Sequence, residues 1–282
     1  MTGVRISVRE SLADLTSLAV LMLAAFIAIV PVLMALLNSL KTDGEIITNI
    51  LALPQVPRFG NYLIAFERTR FLRSVWNTLV VLLVGLAGIV LFASMAGYKL
   101  SRTRGAASGI IFGLFVMSML IPFHSIMIPL TRVSRTLRLQ GSTVGLGIIY
   151  VGLGVPLAIF LYHGFVKSVP RELDEAAVID GCAELRYFAT IVFPLLAPVT
   201  VTIIVLNTLW MWNDFLLPLL MITDMNRYTV LLSTNMLFGR YGNHEWSAIL
   251  ATLILAMLPV VTLFLALQKY VMRGIVDGAI KG

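Results

Sequence analysis

Apolar residues run through this chain in long blocks, and charged residues mark where each block ends. Six blocks stand out, at about Leu15–Leu37, Val75–Tyr98, Ser108–Leu130, Val144–Val166, Pro198–Ile222 and Ser247–Gln268. Each reaches the roughly 20 residues that a helix needs to cross about 30 Å of hydrocarbon. Lipid offers no water to backbone N–H and C=O groups, so each block predicts a helix rather than an isolated strand. Pro31, Pro122, Pro129, Pro156, Pro218 and Pro259 fall inside the blocks. Such prolines break soluble helices, but a membrane bundle tolerates the kinks when neighbours satisfy the freed groups. The pattern predicts an all-α integral membrane protein with six transmembrane helices, residues 1–282 forming one domain. No internal repeat or low-complexity tract is evident.

Composition agrees with that pattern. The 282 residues are 59% hydrophobic and 12% charged, against about 25% charged in soluble domains. The net charge of +7 and pI of about 9.8 would suggest nucleic acid in a soluble protein. Here the basic residues lie between the apolar blocks, where anionic lipid accounts for them, so no nucleic-acid partner is expected. The single cysteine, Cys182, excludes an intramolecular disulfide and a cysteine-based metal cluster. His124, His163 and His244 are far apart in the chain and show no ligand spacing, so no metal site is expected. The run after Arg5 and Arg9 is too long for a signal-peptide core and predicts a retained first span.

Charge does not orient the spans. With termini inside, basic residues such as Lys99, Arg102, Lys167 and Arg171 fall on one side. Arg68, Arg70, Arg132, Arg135 and Arg138 fall on the other, in near-equal number.

One stretch departs from the apolar pattern. Glu172, Asp174, Glu175, Asp180 and Glu184 crowd the segment between the fourth and fifth blocks, a loop at about 167–197. Lipid cannot hold so many carboxylates, so the segment lies in water. Pro170 suits a helix start, and the acidic residues suit the positive end of the helix dipole. Asp180-Gly181 ends the helix, because glycine reaches the left-handed conformation readily. Leu185, Phe188, Ile191 and Val192 then recur at helical spacing until Pro194 and Pro198. The reading is a helix, a glycine turn and a second helix.

This segment resembles the EAA loop of bacterial ABC importer permeases. Glu175, Ala176, Ala177, Asp180, Gly181, Phe188, Ile191, Pro194 and Pro198 match that pattern, with Cys182 where the family usually has Ala. Trp212-Asn213-Asp214-Phe215 with Pro218 is similar to a fifth-span signature of carbohydrate-type permeases. Phe59-Gly60-Asn61-Tyr62 and the ending Gly278-Ala279-Ile280-Lys281-Gly282 are similar to further features of that group. The resemblance covers nearly the whole chain and points to the second permease subunit of maltose-type importers.

The resemblance implies a permease of an ATP-driven, binding-protein-dependent importer for a sugar or oligosaccharide. It implies a multi-pass protein of the bacterial inner membrane with the loop and both termini cytoplasmic. Implied partners are a second permease, two ATPase subunits and an extracytoplasmic solute-binding protein. No G-x-x-x-x-G-K-[ST] phosphate loop occurs in this chain. It therefore implies no cofactor here, with ATP and Mg on the partner ATPases. Glu175, Ala176, Ala177, Asp180 and Gly181 would dock on an ATPase.

Other residues are candidates for the solute. Asp214 is the acidic residue nearest a membrane core, where it would cost about 2.5–3.5 kcal/mol. Two readings stand: Asn213 and Asp214 line the path, or Asp214 is held by packing hydrogen bonds near the outer end. Asn207, Trp210 and Trp212 offer an amide and aromatic faces of the kind a sugar uses, or else pack against lipid or a partner. Tyr228 and Tyr241, in a polar outer segment, are candidate binding-protein contacts or members of an interfacial belt. The Gly109–Gly113 spacing predicts a close helix contact. Arg132, Arg135 and Arg138 leave glycerol phosphate or another polar solute open. An ion-coupled secondary transporter is the other alternative. It would favour inverted repeats and buried ionisable groups, of which only Asp214 qualifies. A membrane-embedded enzyme would need clustered catalytic side chains, and none is seen.

Overall fold

The computed structural model describes residues 8–238 and 245–279. Arg5, Arg240, Tyr241, His244 and the ending Ile280-Lys281-Gly282 lie outside the described residues. Helices account for most of the described chain. They are α1 (Val8–Ser39), α2 (Asp43–Thr48), α3 (Gly60–Arg68), α4 (Phe71–Arg102), α5 (Ala106–Ser118), α6 (Phe123–Thr136) and α7 (Thr143–Val166). After them come α8 (Glu172–Ile179), α9 (Glu184–Tyr187), α10 (Phe193–Leu195), α11 (Ala197–Trp212), α12 (Leu216–Met221), α13 (Val230–Ser233) and α14 (Trp246–Ala279).

Among the described residues, three helices are continuous, long and apolar enough to cross a membrane: Leu15–Ser39 within α1, α4 and α7. Two bent pairs bring the number to five if each counts as one span. Trp246–Thr262 is a shorter apolar stretch within α14. The third expected span, 108–130, is therefore not straight: α5 and α6 meet at 103°. Pro122 lacks an N–H and biases Ile121 away from helical geometry, so the chain turns there instead of kinking. The fifth expected span, 198–222, is interrupted at Asn213–Phe215, and α11 is set at 75° to the helical run Glu184–Leu195 before it.

The chain divides into two compact units. The first holds residues 1–68 and 237–255. Its small core joins Ala65, Leu237, Ala248, Ile249 and Ala251. Its connecting segment is tied by polar contacts. Lys41, only 1% exposed, donates to the Asn49 and Ile50 carbonyls at 3.1 Å each. Asn61 Nδ2 donates to the Ser39 and Lys41 carbonyls at 2.8 Å. Thr42 and Glu45 form a capping box at the start of α2. Three hydrogen bonds from Thr42 and Gln55 hold the Glu45 carboxyl below its ordinary range.

The second unit, residues 69–236 and 256–282, is organised by the pairing of α4 with α7. Close approach is what makes that pairing work in lipid, where burial of apolar surface gives no net drive. A Cβ on Gly97 would sit 2.6 Å from Tyr162 Cβ, and one on Gly147 would sit 2.7 Å from Val84 Cβ. The contact expected at Gly109 and Gly113 is not made among the described residues, where both face open space. They sit on α5, whereas the glycines that touch are on α4 and α7.

Candidate functional site

The polar loop folds as a short helix, a turn and a helical run, fastened to the end of α4. Arg171 occupies the position before α8, and Glu172, Asp174 and Glu175 fill its first turn. Pro170 thus precedes the cap instead of sitting inside the helix. Asp180 closes α8, and Gly181 follows at φ +65°. Its N–H donates to Val178 O at 3.1 Å, while Cys182 N–H reaches Ala177 O at 2.9 Å. That pair of bonds is a Schellman ending, which needs a left-handed residue where glycine stands.

The second helical run changes winding. Phe188–Val192 is a π-helical turn between α9 and α10. Pro194 has no N–H and its ring crowds the carbonyl four residues back, so the preceding turn opens. Pro194 therefore lies within the run, and the break falls at Leu196.

Asp174 is the fastening point. Its Oδ1 accepts from Tyr98 Oη at 3.0 Å and from Tyr187 Oη at 2.7 Å. Its Oδ2 lies 2.7 Å from Arg102 Nε as an ion pair, with only 12% and 23% of the two side chains exposed. Arg102 Nη2 also donates to Val169 O at 2.8 Å. Lys99 Nζ adds an exposed pair to Glu184 at 2.5 Å, and the Tyr98 and Phe188 rings pack 5.5 Å apart. One carboxylate thus holds α8, α9 and α4 together. Tyr98 and Arg102 are four residues apart on one helix face, the sequence signal that could have exposed this role.

The expected docking residues divide between two faces. Glu175, Ala176, Asp180 and Gly181 are exposed, whereas Ala177 is buried against its own chain. The outer face also carries Val178 at 78% and Ile179 at 85% exposure. Sequence reasoning passed over these two because apolar residues in a helix usually point inward.

The path candidates gather near the end of α11. A cavity of about 480 Å³ is lined by Trp210, Asn213, Asp214, Leu153 and residues of the α5–α6 bend, including Ser118 and Phe123. Asp214 Oδ1 accepts from the Leu216 and Leu217 N–H groups at 2.9 and 3.2 Å, capping α12. Its Oδ2 accepts from the buried Tyr150 Oη at 2.9 Å. The Tyr150 ring meets Trp210 edge-on at 5.2 Å. Asp214 thus both packs structurally and faces the cavity. Asn207 is separate from them, 4% exposed and bonded to Ile203 O. Tyr228 is 8% exposed, and its carbonyl accepts from Asn77 Nδ2 at 3.0 Å. Tyr241 lies outside the described residues. Among those described, no three His, Cys, Asp or Glu side chains are grouped to hold a metal.

Comparison with known proteins gives a consistent result. Residues 89–277 match the family model described as "Binding-protein-dependent transport system inner membrane component". The chain is 38% identical over 251 residues to the probable starch degradation products transport system permease protein AmyC of Thermoanaerobacterium thermosulfurigenes, covering 89% of this chain and 91% of that one. It is 35% identical over 265 residues to the melibiose/raffinose/stachyose import permease protein MelC of Bacillus subtilis (strain 168), covering 93% and 95%. Its fold is similar to a chain in the crystal structure of a bacterial ABC transporter involved in the import of the acidic polysaccharide alginate. The TM-score there is 0.78 at 18% identity, over 94% of this chain and 98% of the other.

Proposed function

This chain belongs to the family of binding-protein-dependent transport system inner membrane components, and from that premise we propose that it forms half of the path of an ATP-driven importer for a sugar or oligosaccharide. It is a permease component, and the chemistry of ATP belongs to separate ATPase subunits that would bind ATP and Mg. The observation that carries the coupling role is the Asp174 fastening. It ties α8 rigidly to α4 while leaving Glu175, Val178 and Ile179 outside. A rigid helix with an exposed apolar tip suits a groove on another protein, and force applied there would pass through Asp174 and Arg102 into α4.

The full arrangement we propose has six spans, with α14 supplying the sixth. Both termini and α8 face the cytoplasm, and a second permease completes the path. The outer segment around 223–246 would meet the binding protein. Tyr228 would support that surface from beneath, because it is buried in this chain.

A neutral solute suits the cavity at Asp214. No lysine or arginine lines it, and a phosphate would meet a carboxylate there. Trp210 offers an aromatic face and Asn213 an amide, the groups that a sugar ring and its hydroxyls use. The relatives described as permeases for starch products and raffinose-type sugars support the same class.

Reconstitution tests the proposal. Proteoliposomes holding this chain with its partner permease, ATPase and binding protein should take up a labelled oligosaccharide only with ATP inside. Uptake sustained by an ion gradient without ATP would overturn it.

A further inference from the structure

A second polar recess has Arg102 in its wall. It has a volume of about 380 Å³ and is lined by Ser101, Arg102, Lys167, Ser168, Val169, Pro170, Arg171 and Glu172. Three cations from three chain segments converge on it: the end of α4, the end of α7 and the residue before α8. Arg102 is already paired with Asp174 and donates to Val169 O, which fixes one wall. Lys167 and Arg171 are exposed and have no ion-pair partner among the described residues. Glu172 is the one carboxylate in the lining among the described residues, so positive charge is in surplus there. Ser101 Oγ is buried here with no hydrogen-bond partner. A buried hydroxyl without a partner is costly, and a ligand oxygen would relieve it.

We propose that this recess binds the phosphate of an anionic phospholipid. Its position in the chain argues for lipid. The apolar run of α4 ends at Tyr98, three residues before Ser101 of the recess, and that of α7 ends at Val166, directly before Lys167. The cations therefore stand where two spans leave the hydrocarbon, at headgroup level. Basic pockets between span ends on the cytoplasmic side suit anionic headgroups in this way. Orientation rests on the proposed function; the pocket's chemistry does not. A headgroup held there would brace Arg102 and the start of α8, so lipid composition would tune the coupling helix.

The test is native mass spectrometry of the detergent-purified transporter complex, titrated with phosphatidylglycerol or phosphatidylcholine. Wild type should retain phosphatidylglycerol in preference to phosphatidylcholine. The double variant Lys167→Gln/Arg171→Gln should bind phosphatidylglycerol roughly thirtyfold more weakly, from about 1 kcal/mol per cation. A control variant, Arg132→Gln, should bind as wild type does. Equal retention of both lipids, or unchanged retention by the double variant, would overturn the site. Displacement of bound lipid by millimolar inorganic phosphate would overturn the lipid assignment in favour of a soluble phosphate. None of these readouts depends on transport, so a failed proposal here is distinguishable from a failed importer assignment.

Discussion

Arg102 Nε lies 2.7 Å from Asp174 Oδ2, an ion pair joining the last turn of a membrane-length helix to the first turn of α8. Both side chains are mostly shielded, so solvent weakens the pair less than it would at a surface. Two tyrosine hydroxyls complete the carboxylate's coordination from separate helices.

Removing that carboxylate should loosen the loop without expelling the chain from the membrane. Asp174→Ala leaves Arg102 shielded and unpaired and should cost about 3 kcal/mol. Asp174→Asn keeps hydrogen-bonding capacity and should cost about 1–2 kcal/mol. In proteoliposomes both should lower the ratio of solute transported to ATP hydrolysed, the alanine variant more. An unchanged ratio would remove Asp174 from the coupling route.

Gly181 at φ +65° ends α8. Gly181→Val should cost about 1–2 kcal/mol of local strain and misdirect the chain into α9. A Cβ here meets no neighbour, so the effect is conformational and not steric. Gly181→Asn should be milder because Asn tolerates that region. Co-purification of the ATPase should fall in the order Gly, Asn, Val.

Val178 and Ile179 should act as anchors on the ATPase. Replacing both by Ser leaves the fold intact, since neither is buried. Losing two apolar anchors costs about 2 kcal/mol or more, or roughly thirtyfold in ATPase affinity. Surface-immobilised permease titrated with ATPase would measure it. Undiminished affinity would shift docking to Glu175 and Asp180 alone.

Local signals made some of this legible in the sequence. Thr143–Val166 lies within a residue of the expected span because a capping Ser142 and a charged Lys167 mark its ends. The glycine turn was visible for the same reason, as one residue decides it. The bend at Met119–Pro122 was not, because a proline within an apolar run signals a kink or a turn and only the packing partners choose. Asp174 was also hidden, since its partner Tyr98 lies 76 residues away. Tyr228 reads as an outer aromatic in sequence, yet Asn77 draws its backbone inward. Hydrophobic pattern describes spans well and describes contacts between distant turns poorly.

Glu45 gives a pH prediction for the first unit. Hydrogen bonds from Thr42 and Gln55 favour its ionised form and depress its pKa from the ordinary 4.5. A depressed carboxylate contributes stability that is present above its unfolded value and lost as pH falls through the folded one. The protection of the Thr42 and Gln55 amides, measured against their intrinsic exchange rates at each pH, should therefore hold at neutral pH and fall only below about pH 4.5. Glu45→Gln should show reduced protection of both amides at neutral pH, with little further loss in acid.

Asp214 can be separated into its two roles by paired substitutions. As a cap, it accepts from the Leu216 and Leu217 N–H groups, and asparagine caps about as well as aspartate. Asp214→Asn should therefore keep α12 in place, with little change in thermal stability. Asp214→Ala loses the cap and should cost about 1 kcal/mol. As a cavity wall beside Trp210 and Asn213, the same residue would present its carboxyl group to a solute. If that carboxylate binds sugar hydroxyls, Asp214→Asn should lower uptake severalfold, since a hydrogen bond to a charged group is worth about 1 kcal/mol more than one to a neutral group. Uptake by the asparagine variant at the wild-type rate, with only the alanine variant impaired, would assign Asp214 to the helix break alone.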